Sequence, residues 1–322
     1  MLVFSLLAVL ALCALATAQS LEEVLVENGF TTFAQELLSV IDPDTLGTHA
    51  IIYAPSNDAL AQGNDTGVSR RSDFSALAQV TSGSSAKLDT SKRQTIITPG
   101  DAYQTWLNDP ALVNLGPGVN MTIVERCEPF DTQAVVYSGL GDITNITGED
   151  IWFDGGVIRP VDSYFTIPAP IEETLPVLGL GTFEEVIERT GLLDEIEDIP
   201  GITVFAPSDE ALAAASDLGD TELTDLLRHH VVVGVVAYTV LLEDGLTFET
   251  LDGTELTVTL EDGAYLINGA RIIRGDGLIK NGVIHVLESV SPDEICFSPL
   301  HLQSTNNRPP IAGFPADSHP EP

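Results

Sequence analysis

Gly201-Ile202-Thr203-Val204-Phe205-Ala206-Pro207-Ser208-Asp209-Glu210-Ala211-Leu212 decides how this chain is read. The run from Ile202 to Ala206 is β-branched, aromatic or small, the composition of a buried strand. Pro207 has no N–H to extend a ladder, and Ser208 is placed to cap a helix. Asp209 and Glu210 then fall in the first helical turn, where carboxylates meet the positive end of the helix dipole. The unit is strand, hard turn, helix. It recurs at His49-Ala50-Ile51-Ile52-Tyr53-Ala54-Pro55-Ser56-Asn57-Asp58-Ala59-Leu60. Two copies of one supersecondary unit imply two copies of a domain, and 322 residues suffice for two cores.

A second phrase is also repeated. Gly155-Gly156-Val157-Ile158 and Asn281-Gly282-Val283-Ile284-His285-Val286 both read as a turn entering a buried strand. With Leu226-Leu227-Arg228-His229-His230-Val231-Val232 as a third phrase, the second half resembles the fasciclin domain, with His229 where that family usually has Tyr. The first half keeps two of the three phrases. The resemblance covers most of the chain and is nearer to fungal members than to animal ones.

Helical spacing of Phe33, Leu37 and Leu38 between Leu21 and Val40, and of Phe183, Val186 and Ile187 between Gly179 and Ile196, predicts amphipathic helices ahead of each repeated strand. In the second half, Thr247–Leu251, Thr254–Leu260, Ala264–Ile267, Ala270–Ile273 and Val283–Val290 read as an antiparallel meander. Asp252-Gly253, Asp262-Gly263 and Asn268-Gly269 supply its turns. The class is α+β: two tandem fasciclin-like domains, each a β-sandwich or wedge flanked by helices. The expected division is a signal peptide at 1–18, a divergent first domain at 19–168, a second domain at 171–295 and a disordered tail at 298–322. Ala54 lies 102 positions before Gly156 but Ala206 only 76 before Gly282, so the first domain carries an insertion, placed at about 62–95.

The uncharged run from Met1 to Ala18 ends in Ala16-Thr17-Ala18, a small-x-small cleavage pattern, which predicts secretion with no stable membrane insertion afterwards. The tail closes without a hydrophobic stretch, and the expectation is a free product without a glycolipid anchor. A formal net charge of -35 makes phosphate backbones poor partners and excludes nucleic acid. Arg70-Arg71 and Lys92-Arg93 are dibasic pairs open to processing, against the plainer reading of solvated charges.

Asn64, Asn120 and Asn145 head N-glycosylation sequons, all in the first half. Cys13 leaves with the signal peptide, so Cys127 and Cys296 are the pair available for a disulfide in an oxidising compartment. Arg274-Gly275-Asp276 is an RGD tripeptide in an expected connection before Val283, and is read either as an adhesion contact or as a turn built from Gly and Asp. Asp150-Ile151 matches the adhesive Asp-Ile phrase that the resemblance implies for animal matrix members, while Asp276-Gly277-Leu278 departs from it. His229, His230 and His285 read as packed histidines. Pro160, after Arg159, removes a ladder donor and challenges the end of its strand.

Nucleophile-elbow, phosphate-loop, dinucleotide and His-Glu-x-x-His patterns are missing from the sequence, and Asp217–Glu222 lacks the EF-hand register. No catalytic residue, metal or cofactor is therefore expected. The resemblance implies a secreted, non-enzymatic protein of cell adhesion, cell wall or matrix, whose partner is a cell-surface or matrix protein or a cell-wall polysaccharide. The alternatives are a lumenal vacuolar or trafficking (membrane-fusion) factor and, from another class, an acid-active secreted hydrolase.

Overall fold

The computed structural model describes residues 19–47, 49–62, 76–85, 101–127, 134–213 and 218–290. The expected signal peptide, both dibasic pairs, Asn64, Cys296 and the tail lie outside them, as do most of the expected insertion and Asp217.

The helices come first in each half. α1 (Leu21–Glu27) carries a capping box in which Ser20 and Glu23 exchange hydrogen bonds, and α2 (Thr31–Val40) follows. The expected amphipathic helices are present, and Gly29 turns the chain between these two at φ 83°. Gly191 does the same in the second half at φ 70°, separating α5 (Gly181–Arg189) from α6 (Leu192–Ile196), with α4 (Ile171–Leu178) ahead of them.

The first sheet has eight strands: β1 (Ala50–Pro55), β2 (Val80–Ser85), β3 (Asp101–Thr105), β4 (Thr122–Cys127), β5 (Ala134–Tyr137), β6 (Ile143–Asn145), β7 (Ile151–Phe153) and β8 (Gly156–Val161). Their order is β6-β5-β4-β3-β2-β1-β8-β7. An antiparallel bridge between Ile146 and Val161 brings the β6 end back onto β8, so the sheet curls toward a barrel. The second sheet has seven strands: β9 (Ile202–Pro207), β10 (Val231–Val233), β11 (Thr247–Glu249), β12 (Glu255–Glu261), β13 (Ala264–Ile267), β14 (Ala270–Ile279) and β15 (Gly282–Leu287). Their order is β10-β9-β15-β14-β13-β12-β11, and a bridge between Val232 and Thr250 closes it in the same way. The α+β class and the expected meander hold, and in each half the sheet curls on itself to form the wedge.

The two repeated phrases are neighbours in space. β1 runs parallel to β8 from Ala50↔Gly156 to Pro55↔Val161, and β9 runs parallel to β15 from Ile202↔Gly282 to Pro207↔Leu287. All six residues of β9 and of β15 are buried, which is why these strands read as continuous apolar runs. The glycines that begin β8 and β15 let the pairs close: a Cβ on Gly156 would lie 2.0 Å from the Ala50 carbonyl oxygen, and one on Gly282 1.9 Å from that of Ile202. β8 runs through Pro160, which pairs with Ala54, so the proline does not end the strand.

The helix that follows each hard turn forms as expected, α3 (Asn57–Gln62) and α7 (Asp209–Ala213). Ser56 Oγ accepts from the Ala59 N–H at 3.1 Å and Ser208 Oγ from the Ala211 N–H at 3.3 Å. The next residue reaches back to an earlier helix: Asn57 Oδ1 accepts from the Thr32 N–H at 3.0 Å, and Asp209 Oδ1 from the Thr182 N–H at 2.9 Å. Each phrase thus caps two helix starts. α8 (Asp220–His229) then leads into β10.

Candidate functional site

The residues singled out as adhesive by sequence sit in two polar clusters, one between the halves and one inside the first. β13 has four residues and β14 ten, and β13 pairs only with Ala270 and Arg271 at the start of β14. The far half of β14 has an edge that β13 leaves uncovered, and the first domain and the link that follows it occupy that edge. Gly139 bridges Leu278, Ala169 bridges Ile279, and the Asn114 N–H donates to the Lys280 carbonyl at 2.7 Å. Around this seam Ala102, Val124, Val135 and Tyr137 of the first domain pack with Tyr238, Leu278 and Val283 of the second in one buried cluster.

Gly275 and Asp276 of the RGD tripeptide are buried in this seam while Arg274 is exposed, and the tripeptide lies within a strand, which corrects its expected place in a connection. Arg274, Gly275 and Asp276 are inside β14, where the register against β15 shifts between Arg274 and Gly277. Asp276 adopts φ 61°, so Gly-Asp makes a bulge instead of ending the strand. The bulge turns the carboxylate inward, to 0% exposure. Its Oδ1 accepts from the Thr239 N–H at 2.9 Å, and its Oδ2 accepts from the Thr239 hydroxyl and from Arg126 Nη1, the latter at 3.0 Å. Arg126 comes from β4 of the first domain and lies over the Tyr137 ring, 4.1 Å from its centre. A Cβ on Gly275 would come within 2.4 Å of the Thr239 methyl, so only glycine fits there. This Asp is a clamp between domains, and it is closed to a partner from outside.

His285 completes the same cluster. Its Nδ1 accepts from the Asp276 N–H at 3.2 Å and its Nε2 donates to the Ala237 carbonyl at 2.8 Å, which defines a neutral ring. Burial pushes its pKa down, opposed by Asp276. His230 is also buried, with Nδ1 donating to the Leu226 carbonyl at 2.8 Å, and desolvation lowers its pKa to about 4. The packed reading of both histidines holds. His229 Nδ1 meets the Thr254 hydroxyl at 2.6 Å and lies 3.4 Å from Asp252.

In the first domain the equivalent of the Phe205↔His285 pair is Tyr53↔Arg159. Arg159 donates to Glu125 Oε2 at 2.6 Å and forks onto Asp150 with two bonds of 2.9 Å, while the Tyr53 hydroxyl donates to Glu125 at 2.8 Å. Burial raises the Glu125 pKa against the pull of Arg159, and burial followed by Glu125 raises that of Tyr53. Asp150 of the Asp-Ile phrase is thus held from behind by Arg159 and keeps part of its side chain in solvent. Ile151 packs toward the first core, and Trp152, on the other face of edge strand β7, is 68% exposed.

Glu125, Arg126 and Trp152 were not singled out by the sequence reading. Glu125-Arg126 directly follows the β-branched pair Ile123-Val124, and that junction of strand-forming residues and charges is the signal the sequence offers. Of the sequons, Asn145 is exposed on β6 and Asn120 half-buried ahead of β4. Cys127 ends β4, but its expected partner lies outside the described residues. Among the described residues no group of three or more His, Cys, Asp and Glu side chains is arranged to hold a metal ion, and no helix is long and apolar enough to cross a membrane.

Two curled sheets, each built on a parallel pair of the repeated phrases and joined through a buried seam, define a tandem pair of fasciclin-type domains. The family model of the fasciclin domain matches residues 178–291. The chain is 30% identical over 285 residues to the fasciclin-like arabinogalactan protein CTB11 of Cercospora beticola, an alignment spanning 85% of this chain and 76% of that one. It is 30% identical over 200 residues to the fasciclin-like arabinogalactan protein elcF of Phaeosphaeria nodorum, spanning 61% and 63% of the two chains. The solved FAS1 domain pair of the insect cell adhesion molecule fasciclin I covers 82% of this chain at 16% identity, with a TM-score of 0.37, too loose a likeness to carry an argument. The chain belongs to the fasciclin family.

Proposed function

We propose that this protein is a secreted, non-enzymatic contact protein of the cell surface, wall or matrix, and that its first domain meets the partner through edge strand β7. The observation that carries this reading is Trp152, 68% exposed on the terminal strand of its sheet, directly after Asp150 and Ile151. A large aromatic side chain kept in water on a rigid strand costs solvation and is the residue type most enriched among binding hot spots. Asp150 beside it is oriented by the Arg159 fork and so presents its carboxylate at low entropic cost. The other candidate, Asp276, is spent on the clamp. Both acidic clusters are satisfied by their own basic partners, which supports contact over turnover. The fungal relatives are named fasciclin-like arabinogalactan proteins, which supports the surface or wall as the place of work.

The test compares full-length secreted protein with Trp152→Ala for retention on cell-wall particles and on immobilised cell-surface extract. The variant should fold with an unchanged melting temperature and bind at least about tenfold more weakly to one of them. Equal retention of the two proteins, or failure of the wild type to bind either material, would refute the proposal.

A further inference from the structure

We infer that, of the two sequons placed by the structure, Asn145 carries the N-linked glycan and Asn120 does not. The inference rests on the secretory reading above, which gives the chain access to the sugar donor. Transfer would join Asn145 Nδ2 to the anomeric carbon of a lipid-pyrophosphate-linked oligosaccharide, with the lipid pyrophosphate leaving and one amide proton released. The amide keeps one hydrogen afterwards, so existing hydrogen bonds do not separate the sites: Asn145 Nδ2 donates to Asp162 Oδ2 at 2.6 Å and Asn120 Nδ2 to the Thr105 carbonyl at 2.8 Å.

What separates them is the direction each side chain faces. Asn145 is exposed on β6, the terminal strand of its sheet, and Thr147 of the same sequon is exposed too. Met121 is fully buried in the first domain's own core. Alternation in an extended chain then turns Asn120 and Thr122 to the opposite face. That face is the seam. Thr122 is 6% exposed, and its side chain is hydrogen-bonded to Tyr238 of the second domain. The connection that leads to Asn120 touches the second domain as well: Asn114 donates to the Lys280 carbonyl, and the Leu115 carbonyl would lie 3.1 Å from a Cβ on Gly201. A glycan on Asn120 would have to be accommodated where Thr122 packs on Tyr238, so a chain carrying it could not close the seam and would not reach the medium as folded protein. One on Asn145 extends into solvent.

The experiment takes full-length protein from the medium of a glycosylating host, removes N-glycans enzymatically in heavy-isotope water and maps the labelled aspartates by peptide mass spectrometry. The expected result is label at Asn145 and an unmodified Asn120 peptide, with Asn145→Gln, but not Asn120→Gln, losing one glycan's mass. Label at Asn120, or a bare Asn145, overturns the inference. If Asn145 is bare, recovery from the medium of a chain whose first residue is Gln19 would show that the secretory reading survives, and intracellular retention with Met1–Ala18 intact would show that it falls too.

Discussion

Asp276→Asn is the most direct perturbation of the seam. Asparagine has nearly the volume of aspartate and tolerates the left-handed backbone that Asp276 adopts at φ 61°, so neither packing nor strain changes much. It can still accept from the Thr239 N–H. It loses the charge that faces Arg126 at 3.0 Å, and an amide NH₂ replaces the oxygen that takes both Arg126 and the Thr239 hydroxyl. Breaking a buried ion pair by altering one partner costs about 3–5 kcal/mol. Arg126 is 25% exposed and recovers some hydration, which places the effect at the lower end, about 3 kcal/mol. In a chain of this size that corresponds to a loss of roughly 5–10 °C in melting temperature. The measurement is thermal and urea unfolding of the full chain at pH 7, with Arg126→Gln and the double variant completing the cycle. The two changes should couple by about 1 kcal/mol or more, the double variant being little worse than either single one. A melting temperature within about 1 °C of wild type, or strict additivity, would mean that the pair does not hold the domains.

Two further outcomes follow from the buried groups and the close strand pairs. His230 is neutral when folded with a pKa near 4, against about 6.5 unfolded, so the unfolded chain binds more protons below pH 6.5. Stability should therefore be full above pH 6.5 and fall toward pH 4 by about 3 kcal/mol for this group, with His285 adding to the loss in the same direction; urea midpoints against pH should flatten in His230→Gln, and an equally steep profile in that variant would contradict the assignment. Gly282→Ala places a methyl 1.9 Å from the Ile202 oxygen and should cost about 3 kcal/mol by overpacking, whereas Gly253→Asn, in open space at φ 83°, should cost well under 1 kcal/mol; similar unfolding midpoints for the two variants would defeat the close-approach argument.

The repeated phrases announced the fold because their chemistry is local. Pro207 stops a strand and Ser208 caps a helix wherever the rest of the chain lies, and the apolar content of Val204 and Ile284 reports burial on both faces. That β9 and β15 pair in parallel was not readable, since the partner of a strand is set by strands far off in sequence. The RGD tripeptide was misplaced for a related reason. Gly-Asp has the same local meaning in a turn as in a bulge, and only the short β13, with a second domain lying against β14, makes the bulge face inward. Asp150 was visible only through resemblance, and its geometry depends on Arg159, whose neighbour Pro160 had argued against a full strand at all. Glu125 and Arg126 are legible as charges directly after Ile123-Val124, but nothing local says that one faces its own core and the other the neighbouring domain.

The comparison of the two copies shows how a duplicated core was made into a pair. At the position where the second phrase meets the first, one copy has Tyr53 beside Arg159 and the other Phe205 beside His285. A charged guanidinium in that place demands a buried acid, and Glu125 supplies it from β4. A neutral imidazole demands only a donor and an acceptor, and it takes the Asp276 N–H and the Ala237 carbonyl. The Asp276 carboxylate is left to be matched from elsewhere, and β4 answers again with the next residue, Arg126. Consecutive residues of one strand, facing opposite ways, therefore neutralise the polar site of each copy. Asp276 of the second copy is matched by a cation of the first, so the divergence of the copies ties the two domains together through this pair.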